Sequence, residues 1–158
     1  MRNGDVLHNP YTDSHEDLVQ LFSLRDNREG NFARVEFKPK DQSDIANPEK
    51  YVMRVDEDRT PDWFTESKQE KATGKLRSII KRMIVDKPTV GLCGGAYIIT
   101  KGATVTWLKW ARIIVLSGGT VQSVLSGGTV QSVLSGGTVQ SVESGGTVRR
   151  VLSGGTVQ

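Results

Sequence analysis

The chain has 158 residues, with 21 Lys and Arg against 18 Asp and Glu, a formal net charge of +3 and one cysteine. A single cysteine excludes an internally disulfide-bonded secreted scaffold. The polar N-terminus, MRNGDVLHNPYTDSHED, lacks the apolar core of a signal peptide, and no run approaches the roughly 18 apolar residues of a membrane helix, so the expected setting is the cytoplasm, bacterial or of a host cell.

Charge is unevenly placed. Residues 1–90 hold 16 Lys and Arg against 17 Asp and Glu, and residues 91–158 hold 5 against 1. The texture changes near VDKPTVG, where Pro88 disfavours helix at Lys87 and Gly91 loosens the chain. Two domains are expected: a small α+β head or capping domain over 1–88 and a repeat domain over 89–158.

In the head, DSHEDLVQLFSL reads as a short helix, with Ser14 as cap, Asp17 at the positive end of the dipole, and Leu18, Leu21 and Phe22 as the apolar stripe. NFARVEF and KYVMRVD are strand candidates. KPKDQSDIANPE, between them, is a loop with room for one helical turn. DEDR at 56–59 reads as a turn, with Asp58 or Thr60 capping the next helix. Thr60–Pro61 is a helix start, because proline at the first position loses no helical hydrogen bond. That helix is expected from Pro61 to about Val85, with Leu76, Ile79, Ile80 and Met83 on its apolar face and a bend or break at Gly74.

From Val115 onward the chain repeats VLSGGTVQS, keeping Val first (Val115, Val124, Val133, Val142, Val151), Gly fourth and fifth, Thr sixth and Val seventh. TVQSVL reads as a strand and SGG as a turn in which glycine takes positive φ. Nine residues are too few to wrap a filled core, so two units per coil are expected, in a short parallel β-solenoid with coils about 4.8 Å apart. Val121 and its equivalents would stack inside, Leu125 and Leu134 likewise, with Thr, Ser and Gln outside. TKGATVTW and LCGGAYII fit the same frame upstream, and LKWARIIV fits with a residue or two missing. The solenoid would then start near Leu92 and make three to four coils. Trp107, Trp110 and Tyr97 would pack against the amphipathic helix, which would close the first coil. At the other end, a strand edge at GGTVQ is a template for another chain.

The repeat resembles GG-containing β-solenoid repeats of bacterial surface and autotransporter proteins. It resembles more closely the short Gly-Thr-Val repeat tails of phage, prophage and gut-bacterial proteins, in which a front domain bearing something like FARVEFKPKD and RVDEDRTPDWF precedes a tail. Neither resemblance implies a reaction. The second implies a phage or prophage factor that engages a host protein or a virion component.

Few residues point to chemistry. Calcium-binding GG repeats hold the ion with Asp, and no Asp follows Asp86. SGGT lacks the lysine and spacing of a phosphate loop. His15 in SHED reads as part of a solvated helix face, and Cys93, between Leu92 and the pair Gly94–Gly95, as a buried, inert corner thiol. No catalytic residue, metal or cofactor is expected. The expected function is non-enzymatic protein binding or structure, including a homodimer through the C-terminal solenoid edge. Glu143, Arg149, Arg150, Val157 and Gln158 are the candidate partner-binding residues. The alternative is nucleic-acid binding by the helix cations Lys68, Lys71, Lys75, Arg77, Lys81 and Arg82, against which the interspersed acids Glu66 and Glu70 count.

Overall fold

Ser14 sits in extended backbone and its Oγ accepts from the Asp17 N–H at 3.2 Å, which starts helix α1 (His15–Leu21). His15, Leu18, Val19 and Phe22 share its half-buried side, at i, i+3, i+4 and i+7, whereas Leu21 is 55% exposed. Val19, not Leu21, therefore completes the expected stripe. This computed structural model describes residues 1–2, 5–24 and 30–158, and the chain divides into two units, Met1–Arg82 and Met83–Gln158.

In the first unit, β1 (Val35–Pro39) pairs antiparallel with β2 (Tyr51–Val55), Val35 opposite Val55 and Pro39 opposite Tyr51. The connection holds two 3-10 turns, Gln42–Asp44 and Pro48–Lys50, one more than the sequence suggests. Helix α2 runs from Glu66 to Met83, not from Pro61 to Val85. Pro61 opens a turn in which the Phe64 N–H donates to the Pro61 carbonyl at 2.8 Å. The turn delivers Phe64, 4% exposed, to a core with Met1, Ala33 and Ala72, and the Trp63 Nε1–H to the Gly30 carbonyl at 2.6 Å. Burial of Phe64, with Trp63 half-buried beside it, overrides the proline signal, and neither Asp58 nor Thr60 adjoins the helix. No break occurs at Gly74: the helix is continuous, and Ser78 Oγ donates to the Gly74 carbonyl at 3.0 Å. Two residues expected at the helix end, Ile84 and Val85, form a strand instead.

The second unit is a parallel β-solenoid of about five turns, over residues 84–157. One sheet runs β12 (Thr156–Val157), β10 (Thr138–Val142), β8 (Thr120–Val124), β6 (Thr104–Lys109), β4 (Thr89–Cys93); the other runs β11 (Thr147–Val148), β9 (Thr129–Val133), β7 (Arg112–Val115), β5 (Ala96–Ile99), β3 (Ile84–Val85). Two nine-residue units make one coil, since Thr120 pairs with Thr138, eighteen residues on. The earlier coils are tighter, with Leu92 opposite Leu108, sixteen on. The solenoid therefore begins eight residues before Leu92 and has more turns than the three to four expected, because β3 joins it without any Gly pair to announce it.

Val105, Val121, Val124, Val130, Val133 and Val139 are all 0% exposed and fill the interior from both sheets. Each contributes about 1.5 kcal/mol or more by leaving water. Successive leucines do not stack on each other: Leu134 donates to the Val115 carbonyl, Leu125 to that of Leu108, at 2.8 Å each. Two units per coil put them at opposite corners, so Leu125 lies below Glu143, not Leu134.

The two glycines of each pair do different jobs. Gly136 has φ +76°, a conformation that side chains resist. Gly137 needs the absence of a side chain: a Cβ there would lie 2.9 Å from the Val115 carbonyl oxygen of the coil below.

Candidate functional site

The candidate partner-binding residues all fall in the last turns of the solenoid. Glu143 stands exposed at a corner, its N–H donating to the Val124 carbonyl at 2.9 Å and its carboxylate accepting from Ser141 Oγ at 3.1 Å. Arg149 and Arg150 follow β11 on the other sheet, where the Arg149 N–H donates to Val130 and the Arg150 carbonyl accepts from Val133, both at 2.9 Å. Val157 and Gln158 end the first sheet, above Val139. Val142, Val151 and Val157, interior positions in lower coils, are 38%, 48% and 37% exposed here.

The cations of α2 are distributed among neighbours rather than gathered on one face. Lys75 pairs with Asp5 at 3.0 Å, Arg77 with Glu49 at 3.3 Å, and Lys68 lies over the Trp63 ring, 5.4 Å from its centroid. Lys71, Lys81 and Arg82 are exposed.

Two expectations about single residues are corrected. His15 is not solvated: its side chain is 20% exposed, with Nδ1 3.0 Å from Asp56 and Nε2 3.4 Å from the Val35 carbonyl, so it ties α1 to both strands' ends. Cys93 is exposed, not buried. Leu92, its neighbour, turns into the core at 8% exposure, and strand alternation sends Cys93 outward, opposite Lys109. Beside His15, a cleft of about 460 Å³ between α1 and β1 is lined by Leu18, Phe22, Val35 and Arg34. The Arg34 Nε is buried there without a hydrogen-bond partner. Nearby, the hydrogen bond from Lys38 at 2.8 Å holds the Glu36 carboxyl below the usual range.

The two solenoid tryptophans find partners on solenoid glycines. Trp107 lies on Gly91, where any side chain would collide with its ring. Trp110 lies against Gly127 one coil above, is 58% exposed, and has Lys109 Nζ 4.4 Å from its ring centroid. Its φ is +50°, in a corner position that the next coils give to Gly127 and Gly145. A bulky side chain there costs on the order of 1 kcal/mol or more.

Arg112 begins β7 two residues after Trp110, in register with Thr129. Its guanidinium donates to the Gln131 side-chain oxygen from Nε and Nη2, at 2.7 and 2.8 Å, in the amide orientation that satisfies both groups. The Arg112–Gln131 contact was not visible in the sequence, because a β-bulge between Ile113 and Ile114 sets it. The signal that could have found the corner is the departure itself: a tryptophan flanked by Lys and Arg where other units carry SGGT.

Among the described residues no helix is long and apolar enough to cross a membrane, and no group of three or more His, Cys, Asp and Glu converges as metal ligands would. Comparison with protein-family models, curated proteins and solved structures finds no match.

Proposed function

We propose that this is a non-enzymatic protein-binding or structural protein, which associates with a second copy or a protein partner through the last turn of its solenoid. The observation that supports this reading most directly is the exposure of Val142, Val151 and Val157, set against 0% for Val121, Val124, Val130, Val133 and Val139, the interior valines that a further strand covers. Beside these valines stand the edges of the two-residue strands β11 and β12. Such an edge, with backbone groups and an apolar layer both open, accepts further β-structure. Glu143, Arg149 and Arg150, the charged departures from the repeat, frame it and supply selectivity. The resemblance to phage and prophage repeat tails makes host proteins the place to look for a partner.

The test is sedimentation of the 158-residue chain from micromolar to several hundred micromolar, beside a variant carrying Val151→Asp and Val157→Lys. Concentration-dependent association lost in the variant is the expected result. A wild-type chain that stays monomeric throughout, and whose Val157 amide exchanges with solvent at the same rate at every concentration, would refute self-association.

A further inference from the structure

We propose that the corner formed by Lys109, Trp110 and Arg112, together with Arg149 and Arg150, binds single-stranded nucleic acid, one unstacked base lying on Trp110 and phosphates meeting the arginines. The site shares Arg149 and Arg150 with the last-turn edge, but Lys109, Trp110 and Arg112 lie in a lower coil and do not depend on that edge.

The first ground is strain without burial. Trp110 holds φ +50°, where the coils above use Gly127 and Gly145, yet the residue is 58% exposed and is no part of the solenoid core, so core packing does not offset the cost. A bulky residue kept in a left-handed conformation and left facing solvent marks a functional position. The second ground is charge. Of the five Lys and Arg after residue 90, the structure puts four on this side: Lys109 on the indole ring, Arg112 at the start of β7, and Arg149 and Arg150 just past β11. Arg112 and β11 are two coils apart, roughly 10 Å along the axis. The third ground is order. Arg112 is held in place by Gln131 through two hydrogen bonds, so its guanidinium needs little further arranging.

Three of the four cations are arginines, whose planar guanidinium matches a phosphate with two parallel hydrogen bonds. An aromatic plate beside a column of such cations is the arrangement by which proteins hold single strands irrespective of sequence. A duplex would keep its bases stacked and out of reach of an indole. An acidic glycan would satisfy the arginines but offers no base face to Trp110.

The test uses fluorescence anisotropy of a labelled oligothymidylate with the full chain, across a salt series. Binding should fall with salt, with a log–log slope of about −2, since each phosphate contact on a single strand contributes about −0.7. Trp110→Gly should weaken binding roughly 5- to 150-fold, the worth of one base–aromatic stack. The same variant should melt no lower than wild type, because glycine takes this conformation freely. Arg149→Gln, remote from the strained corner, should flatten the slope by about 0.7. Absence of binding at low salt overturns the proposal, as does wild-type affinity in Trp110→Gly. A marked drop in melting temperature for Trp110→Gly overturns it too, since the tryptophan would then be structural. A triple change of Lys71, Lys81 and Arg82 to Gln should leave affinity unchanged; if it alone abolishes binding, the site is on the helix and the proposal fails. Preference for a heparin fragment over oligothymidylate, indifferent to Trp110→Gly, would likewise refute it.

Discussion

Gly137→Ala should destabilise the solenoid more than Gly136→Ala, although the two glycines are adjacent and only Gly136 has positive φ. At Gly137 a Cβ would stand among three carbonyl oxygens, 2.9 Å from Val115, 3.1 Å from Leu116 and 3.1 Å from Leu134. These are backbone atoms of two coils, and moving them lengthens the Leu134-to-Val115 and Gly119-to-Leu116 hydrogen bonds, at 2.8 and 3.0 Å. Overpacking of this kind costs about 1–3 kcal/mol, and a weakened backbone bond adds about 1 kcal/mol, for a loss of about 2–4 kcal/mol. At Gly136 the nearest atom is Ser117 Oγ at 2.7 Å, the end of a side chain that can rotate away. There the cost is the left-handed conformation, about 1–2 kcal/mol, and Gly136→Asn should fall below Gly136→Ala because asparagine tolerates that region. Urea unfolding followed by circular dichroism gives the order. Repeat arrays lose two-state behaviour readily, so hydrogen exchange at the Leu134 and Gly119 amides should accompany it, with faster exchange in Gly137→Ala. If Gly136→Ala proves the more damaging of the two, or both stay within about 0.5 kcal/mol of wild type, the division of labour within the glycine pair is wrong.

The packing carries three more expected outcomes. Val133→Ala, at 0% exposure between Val115 and Val151, should cost about 2 kcal/mol, whereas Val151→Ala, at 48% exposure, should stay within about 0.5 kcal/mol; chemical denaturation compares them. Burial raises the Tyr51 phenol above its ordinary value near 10. Its contribution to stability is therefore intact below pH 10 and is lost as pH rises through the raised value. Tyr51→Phe should remove that alkaline step, seen by pH titration of the unfolding midpoint, and should cost about 1 kcal/mol at neutral pH through the lost bond to the Ile45 carbonyl. Ser14→Ala should cost about 1 kcal/mol by uncapping α1, read as faster exchange of the Asp17 amide.

Features set by local chemistry could be read from the residues alone. Ser14 caps α1, two nine-residue units make a coil, and the valines at positions one and seven fill it. In the upstream frame, Thr104 and Val105 do stand beneath Thr120 and Val121. Features set by distant contacts could not. Proline at 61 is a good first helical residue anywhere, but the burial of Phe64 decides where α2 begins. Ile84 and Val85 continue a helical stripe in sequence, and only pairing with Ile98 and Ile99 makes them strand. Cys93 beside two glycines looks like a corner residue, and the register of Leu92 on Leu108 turns its side chain outward.

The corner at Trp110 joins these two kinds of feature. Leu108 lies under Val124 and Arg112 under Thr129, so the lower coil spans the corner with one residue fewer than the upper one. The shorter corner still needs a left-handed residue, and the chain supplies Trp110 in place of glycine. A second residue is missing at the bulge, where Ile113 and Ile114 face Val130 and Ser132, leaving Gln131 without an opposite number in the ladder. The side chain of that extra residue is the one that accepts from Arg112. Two one-residue deletions from the nine-residue frame thus do more than tighten the early coils. One exposes an indole and the other orders a guanidinium beside it, so the departures from the repeat convert a uniform polar flank into a surface with two distinct chemistries.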